Sequence, residues 1–143
     1  MTDTATSHSA ADAITVALRE VTGDATLAPT ADGRWVVEAE GGPEILLILS
    51  EDQTTLSLYT SLREVEVVPE NEGVILRRAL ALNVDDTFLR GAAIGMDTAS
   101  GRLLLRHSLN PAIFSGSALG NVLTHFVAAT AIAVMAMTEP AVA

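Results

Sequence analysis

Residues 91–109 read Gly91-Ala92-Ala93-Ile94-Gly95-Met96-Asp97-Thr98-Ala99-Ser100-Gly101-Arg102-Leu103-Leu104-Leu105-Arg106-His107-Ser108-Leu109. From Gly91 to Asp97, Ala92, Ile94 and Met96 recur at every second position, the period of a strand with one buried face. Thr98-Ala99-Ser100-Gly101 is a cluster of turn formers, and Arg102 to Leu109 resumes an apolar run. The stretch therefore predicts a β-hairpin. A hairpin commits the chain to an antiparallel sheet, whose apolar face needs a second layer to cover it.

The flanking sequence supplies that layer. Downstream, Pro111 opens a segment in which Leu119, Val122, Leu123, Phe126, Val127, Thr130 and Val134 fall at helical spacing until Pro140. The twelve residues Phe126 to Met137 are almost wholly apolar. They fall short of the roughly 20 a bilayer span requires, and Asn121 and His125 interrupt any extension, so a buried helix is expected. Upstream, Pro69 ends the preceding block, Asn71 can cap a helix, and Ile75, Leu76, Ala79, Leu80 and Leu82 form its stripe to about Asn83.

Further upstream the period returns to two. Trp35, Val37 and Ala39 alternate with Arg34, Glu38 and Glu40 until Gly41-Gly42-Pro43 breaks the run. Ile45-Leu46-Leu47-Ile48-Leu49 is unbroken, which reads as the middle strand of the sheet, buried on both faces. After Glu51-Asp52-Gln53, Leu56, Leu58 and Leu62 fall opposite Ser57, Tyr59 and Ser61, completing a three-stranded meander. Ser9 and Asp12 form a capping box, after which Ala10, Ile14, Ala17, Leu18 and Val21 mark an amphipathic helix ending at Gly23. Residues 1–9 are polar and small, and are expected to be mobile. The reading is an α+β fold, an antiparallel five-stranded sheet with three helices in the order α-β-β-β-α-β-β-α. It forms one domain over residues 1–143, without internal repeat or linker.

Charge narrows the partners. The 143-residue chain carries a formal charge of −10, with a pI near 4.5, and would repel phosphate backbones and anionic headgroups. No nucleic-acid partner and no membrane insertion are expected. All eight basic residues are arginine, and there is no cysteine, which excludes a disulfide framework and thiolate catalysis. The first residues lack the basic and apolar runs of a targeting signal, so a cytoplasmic location is expected.

Catalytic motifs are sparse. His8, His107 and His125 show no metal-ligand spacing, and no metal or cofactor is expected. Gly116-Ser117-Ala118-Leu119-Gly120 lacks the spacing and strand-turn-helix context of a nucleophile elbow. Its two glycines, one turn apart, read instead as a packing notch. Asp85-Asp86 and Glu51-Asp52 lack further ligands at calcium-loop offsets, and no glycine-rich phosphate loop occurs. Trp35 reads as a core residue before a binding-groove residue. No enzymatic activity is expected.

Leu80-Ala81-Leu82-Asn83, Gly91-Ala92-Ala93-Ile94-Gly95-Met96-Asp97, Ser100-Gly101-Arg102-Leu103-Leu104-Leu105 and Leu109-Asn110-Pro111 together resemble the class I type III secretion chaperones, the CesT/Tir-chaperone family. The likeness lies mainly in the second half of the chain, and Asn110 interrupts the leucine-proline step. The resemblance implies a homodimer, in the bacterial cytoplasm, that holds the N-terminal chaperone-binding segment of a secreted effector extended and soluble. It needs no cofactor, and the secretion ATPase is a further partner it admits. By that resemblance Leu76, Leu80, Ile94 and Met96 would form the dimer contact, and Ile14, Leu18, Val21, Val36 and Leu47 would line effector pockets. Core packing is the rival reading for each of these residues. Two rival functions remain: a regulatory or scaffolding protein-binding module of the same fold, and a small enzyme or ligand carrier whose polar groups converge only in three dimensions.

Overall fold

The structure is a computed structural model that describes residues 10–38, 42–85, 89–111 and 116–139. The elements follow the expected order: α1 (Ala10–Thr22), β1 (Arg34–Glu38), β2 (Glu44–Leu49), β3 (Leu56–Ser61), α2 (Glu72–Val84), β4 (Ala93–Asp97), β5 (Arg102–Leu109) and α3 (Gly116–Thr138). The expectations for a mobile residues 1–9, the Ser9 cap, His8, Ala39 and Glu40, Asp86 and Pro140 lie outside the described residues.

The sheet runs β1-β2-β3-β5-β4, every neighbouring pair antiparallel. This corrects the placement of β2. The α2 crossover carries the chain from β3 to the far edge, and the β4–β5 hairpin folds back so that β5 pairs with β3. The middle strand is therefore β3, and β2 lies one strand in from the β1 edge.

Register puts alternate residues on opposite faces. Trp35 faces Leu47, Leu47 faces Leu58, and Ile94 faces Leu105, and all of these side chains are buried. This inner face carries the core, closed by Ile14, Ala17 and Leu18 of α1, Ile75 and Ala79 of α2, and Leu119, Leu123, Phe126, Ala133 and Met137 of α3. Trp35 is fully buried, as the core reading expected, and its Nε1–H donates to Thr15 Oγ1 at 3.1 Å. Thr15 in turn donates to the Ala11 carbonyl at 2.8 Å, so one hydroxyl satisfies the indole and stays satisfied itself.

Two side chains from α2 fix its place at the β4 end. The Arg78 guanidinium donates to the carbonyls of Met137 and Glu139, serving the orphan acceptors at the end of α3. Asn83 donates from Nδ2 to the Ile94 carbonyl at 2.9 Å and accepts the Ile94 N–H on Oδ1 at 2.6 Å, as a neighbouring strand would. Asn71 does stand at the start of α2, but its side chain makes no cap; it accepts from Val68 N and donates to the Glu66 carbonyl, holding the loop before the helix.

Ser117–Thr138 of α3 is long and apolar enough to cross a membrane, with mean hydropathy 1.7. This apolar stretch is longer than the twelve residues from Phe126 to Met137, because Asn121 and His125 are tolerated within it. One stripe of the helix is spent on the core.

Candidate protein-binding surfaces

Among the described residues no helix covers the outer face of the sheet. One residue along from each core position, Val36, Leu46, Tyr59 and Arg106 form a continuous cross-strand row. Val36 is 50% exposed, and Leu46, Ile48, Tyr59 and Leu104 are only half-buried. The latter four floor a groove of about 550 Å3 whose rim includes Glu44, Arg63, Glu64 and Asp97. The Arg106 guanidinium lies 5.7 Å from the Tyr59 ring centroid, within cation–π range, so it closes the row without placing a bare charge on it. The apolar strip and its charged rim make this face a candidate for contact with a partner.

A second cleft, of about 370 Å3, opens where the end of α1 meets α3 and β1. Val21, 39% exposed, stands at its mouth beside Val37, Ile45 and Val127. Gly120 faces α1: a Cβ at that position would meet Val21 Cγ2 at 3.4 Å, an ordinary van der Waals contact. The approach of α1 therefore does not require the notch expected at Gly120, and the surroundings of Gly116 are outside the described residues.

The two edges of the sheet differ. β1 pairs only with β2, and β4 only with β5. At Ile94, however, Asn83 already occupies the outward N–H and C=O of β4. On β1 the Arg34 carbonyl accepts the Thr30 N–H at 2.8 Å, but among the described residues nothing does this along Trp35–Val37, so that part of β1 is open to strand addition.

A third surface lies on α2 and β4. Leu80 is 66% exposed, Val84 83% and Met96 40%, with Leu76 half-buried beside them and Ile94 buried beneath. Of the effector-pocket candidates, Val21 and Val36 are accessible, whereas Ile14, Leu18 and Leu47 are fully buried in the core. The groove residues Leu46, Ile48, Tyr59 and Leu104 are not among the candidates the sequence singles out. For Leu46 and Ile48 the signal is the apolar character of both parities in β2, which by itself reads as burial on two faces; Tyr59 in β3 and Leu104 in β5 join them only through strand pairing.

Nothing among the described residues assembles a metal site of three or more His, Cys, Asp or Glu side chains. Hydrogen bonds from Thr26 hold the Asp24 carboxyl below its ordinary value, and those from Ser50 and Thr54 do the same for Asp52, but both acids sit on exposed turns away from the three surfaces.

Residues 17–132 match the model of the Tir chaperone protein (CesT) family. The chain belongs to the CesT family. No curated protein matches its sequence significantly. Among solved structures, this CesT-family chain resembles one in the crystal structure of the ExsC–ExsE complex, with TM-score 0.72 and 14% identity over 95% of this chain and 100% of that one. It also resembles one in the ExoU–SpcU heterodimer from the type III secretion system of Pseudomonas aeruginosa, at 0.64 and 20% over 89% and 99%. A third likeness is to the HopA1–SchA chaperone–effector complex, at 0.61 and 16% over 90% and 91%. At these identities the likeness establishes the fold: three helices on a five-stranded antiparallel sheet.

Proposed function

We propose that this CesT-family chain is a homodimeric chaperone of the bacterial cytoplasm that binds the N-terminal chaperone-binding segment of a type III secretion effector, keeping it soluble and ready for export. The observation that carries the reading is the apolar strip across the helix-free face, running to the unpaired β1 edge at Val36. An extended effector segment adds to β1 through main-chain hydrogen bonds. Its apolar side chains fill the groove over Leu46, Ile48 and Tyr59 and the cleft at Val21. Ile14, Leu18 and Leu47 support those surfaces from below. The acidic surface keeps the loaded complex soluble by self-repulsion. No bond is made or broken in this cycle; the work is differential burial of apolar surface.

The dimer contact is assigned to Leu80, Val84 and Met96, with Leu76 at its margin and Ile94 holding β4 beneath it. Such a contact leaves the β1 edge of each protomer free, so one effector segment can wrap both.

Co-expression with candidate effector N-termini, followed by size-exclusion chromatography with light scattering, tests the reading. The expected product is two chains to one effector with a protease-protected effector segment. Val36→Asp and Ile48→Asp should each lose the effector while remaining dimeric, and Leu80→Asp with Val84→Asp should give monomers. A wild-type monomer that captures none of the segments would overturn the proposal and favour the ligand-carrier alternative.

A further inference from the structure

A third cavity lies apart from all three surfaces, between the turn leading into β4, the inner face of β5 and the middle of α3. It measures about 200 Å3, the room of roughly six or seven waters at about 30 Å3 each. That is enough for one side chain or a small organic acid, and less than the usual 300–1,000 Å3 of a drug-sized site.

Its polar lining is basic. Arg90 comes from the turn, His107 from β5 and His125 from α3, against apolar walls that include Leu89, Ala92 and Phe126. These are one of eight arginines and two of three histidines in a chain that has no lysine and a net charge of −10. Among the described residues no acidic side chain lines the cavity, and among those residues none of the three basic side chains has a hydrogen bond or ion pair. The backbone is shaped to bring them together. Arg90 takes φ +52, in the left-handed region that L-residues enter at a cost. Gly91, at φ +93, passes so close to His107 that a Cβ would lie 3.1 Å from its Cε1.

We infer that this cleft binds a carboxylate borne on a short apolar stem, with the Arg90 guanidinium and the His107 and His125 imidazoles as donors and the Phe126 side of the cleft receiving the stem. A guanidinium presents two parallel N–H groups to a carboxylate. The apolar walls favour an organic acid over a fully hydrated inorganic anion. The carboxylate can come from a free short-chain acid or from a Glu or Asp side chain of a bound polypeptide. The inference does not depend on the chaperone reading, since it rests only on the cleft's own lining.

The test uses the full chain labelled with 15N, following the imidazole resonances of His107 and His125 at pH 7. Sodium butyrate and butyramide are titrated first, then the capped peptides acetyl-Leu-Glu-Leu-amide and acetyl-Leu-Gln-Leu-amide. The inference expects saturable shifts of both rings with a carboxylate and none with the matching amide. Arg90→Gln, at an exposed position, should weaken carboxylate binding about tenfold, the loss expected for one charge-assisted contact, and His125→Gln should weaken it by a smaller factor. Saturation by butyrate as well as by the Glu peptide assigns a free acid as a sufficient ligand; saturation by the peptide alone assigns a polypeptide side chain. Equal shifts with acid and amide, no saturation with any carboxylate, or unchanged affinity in folded Arg90→Gln would overturn it.

Discussion

The two faces of the sheet are built from nearly the same residues and end in opposite conditions. On the inner face Trp35, Leu47, Leu58 and Leu105 are completely buried under α1 and α3. On the outer face, one position along the same strands, Val36, Leu46, Ile48 and Leu104 are as apolar, but among the described residues no helix lies above them. An ordinary antiparallel sheet with one solvated face alternates apolar with polar, as β3 does with Ser57 and Ser61 opposite its leucines. β2 does not alternate, and that departure marks the outer face as a place where apolar surface is held in reserve. The inner face stabilises the fold, and the outer face is free to stabilise a complex.

The sharpest way to break this contrast is a pair of truncations in neighbouring strands. Leu58→Ala removes a fully buried side chain and should cost about 2–5 kcal/mol, the range for cavities in a closed core. Ile48→Ala, half-exposed on the other face, should cost about 1 kcal/mol or less, since little area returns to water. Chemical denaturation at fixed protein concentration measures both. Equal losses would mean that the outer face is already part of the free protein's core.

A smaller effect separates polar from apolar contributions to the inner face. Thr15→Val keeps the volume near Trp35 but removes the acceptor of its indole N–H. Leaving that donor buried and unpaired should cost about 1–3 kcal/mol. The near-ultraviolet circular dichroism of the single Trp should keep its native sign if packing survives. A loss below that range would mean that water reaches Trp35, and that the inner face is less closed than its burial indicates.

How much of this was legible in the sequence depends on the range of the interaction. Element order and the β4–β5 hairpin were readable because periodicity and turn chemistry are local: Thr98-Ala99-Ser100-Gly101 becomes the turn, and the Gly101 N–H bonds back to the Asp97 carbonyl at 2.7 Å. Strand order was not readable. The pairing of β3 with β5 is decided by where α2 docks, and that rests on Asn83 reaching Ile94 and Arg78 reaching the end of α3, contacts between distant residues. The surfaces were half readable for the same reason. A helical stripe such as Ile14, Leu18 and Val21 shows which residues are apolar, but the packing of α1 against α3 decides that the first two are enclosed and Val21 is left at the rim. In β2 an unbroken apolar run has the same pattern whether its second face meets a helix or is left open. The family resemblance in the second half was legible because it rests on short turn-and-strand motifs, and the family match extends it over residues 17–132.

The smallest effect lies at the β2–β3 turn, which sets the register on which the whole contrast depends. A slip of one residue in β2 would exchange Leu47 for Leu46 or Ile48 at the core. The Asp52 carboxylate accepts from Ser50 Oγ and Thr54 Oγ1, both at 2.7 Å, and from Thr54 N at 3.2 Å. These bonds, that from Ser50 first, hold its pKa below the ordinary 3.8, against a small opposing desolvation. Because the folded value is the lower one, the carboxylate's stabilisation of the turn is complete above the unfolded value and is lost as pH falls through the folded one. A carboxyl-carbon NMR titration should place the Asp52 midpoint below 3.8, and Asp52→Asn should remove that titration while leaving the fold intact at pH 7. The group is exposed, so the stability change will be slight. An Asp52 midpoint at or above the ordinary value would mean that the turn does not hold the register, and that the division between the closed face and the open one is set by the strand ladder and the helices alone.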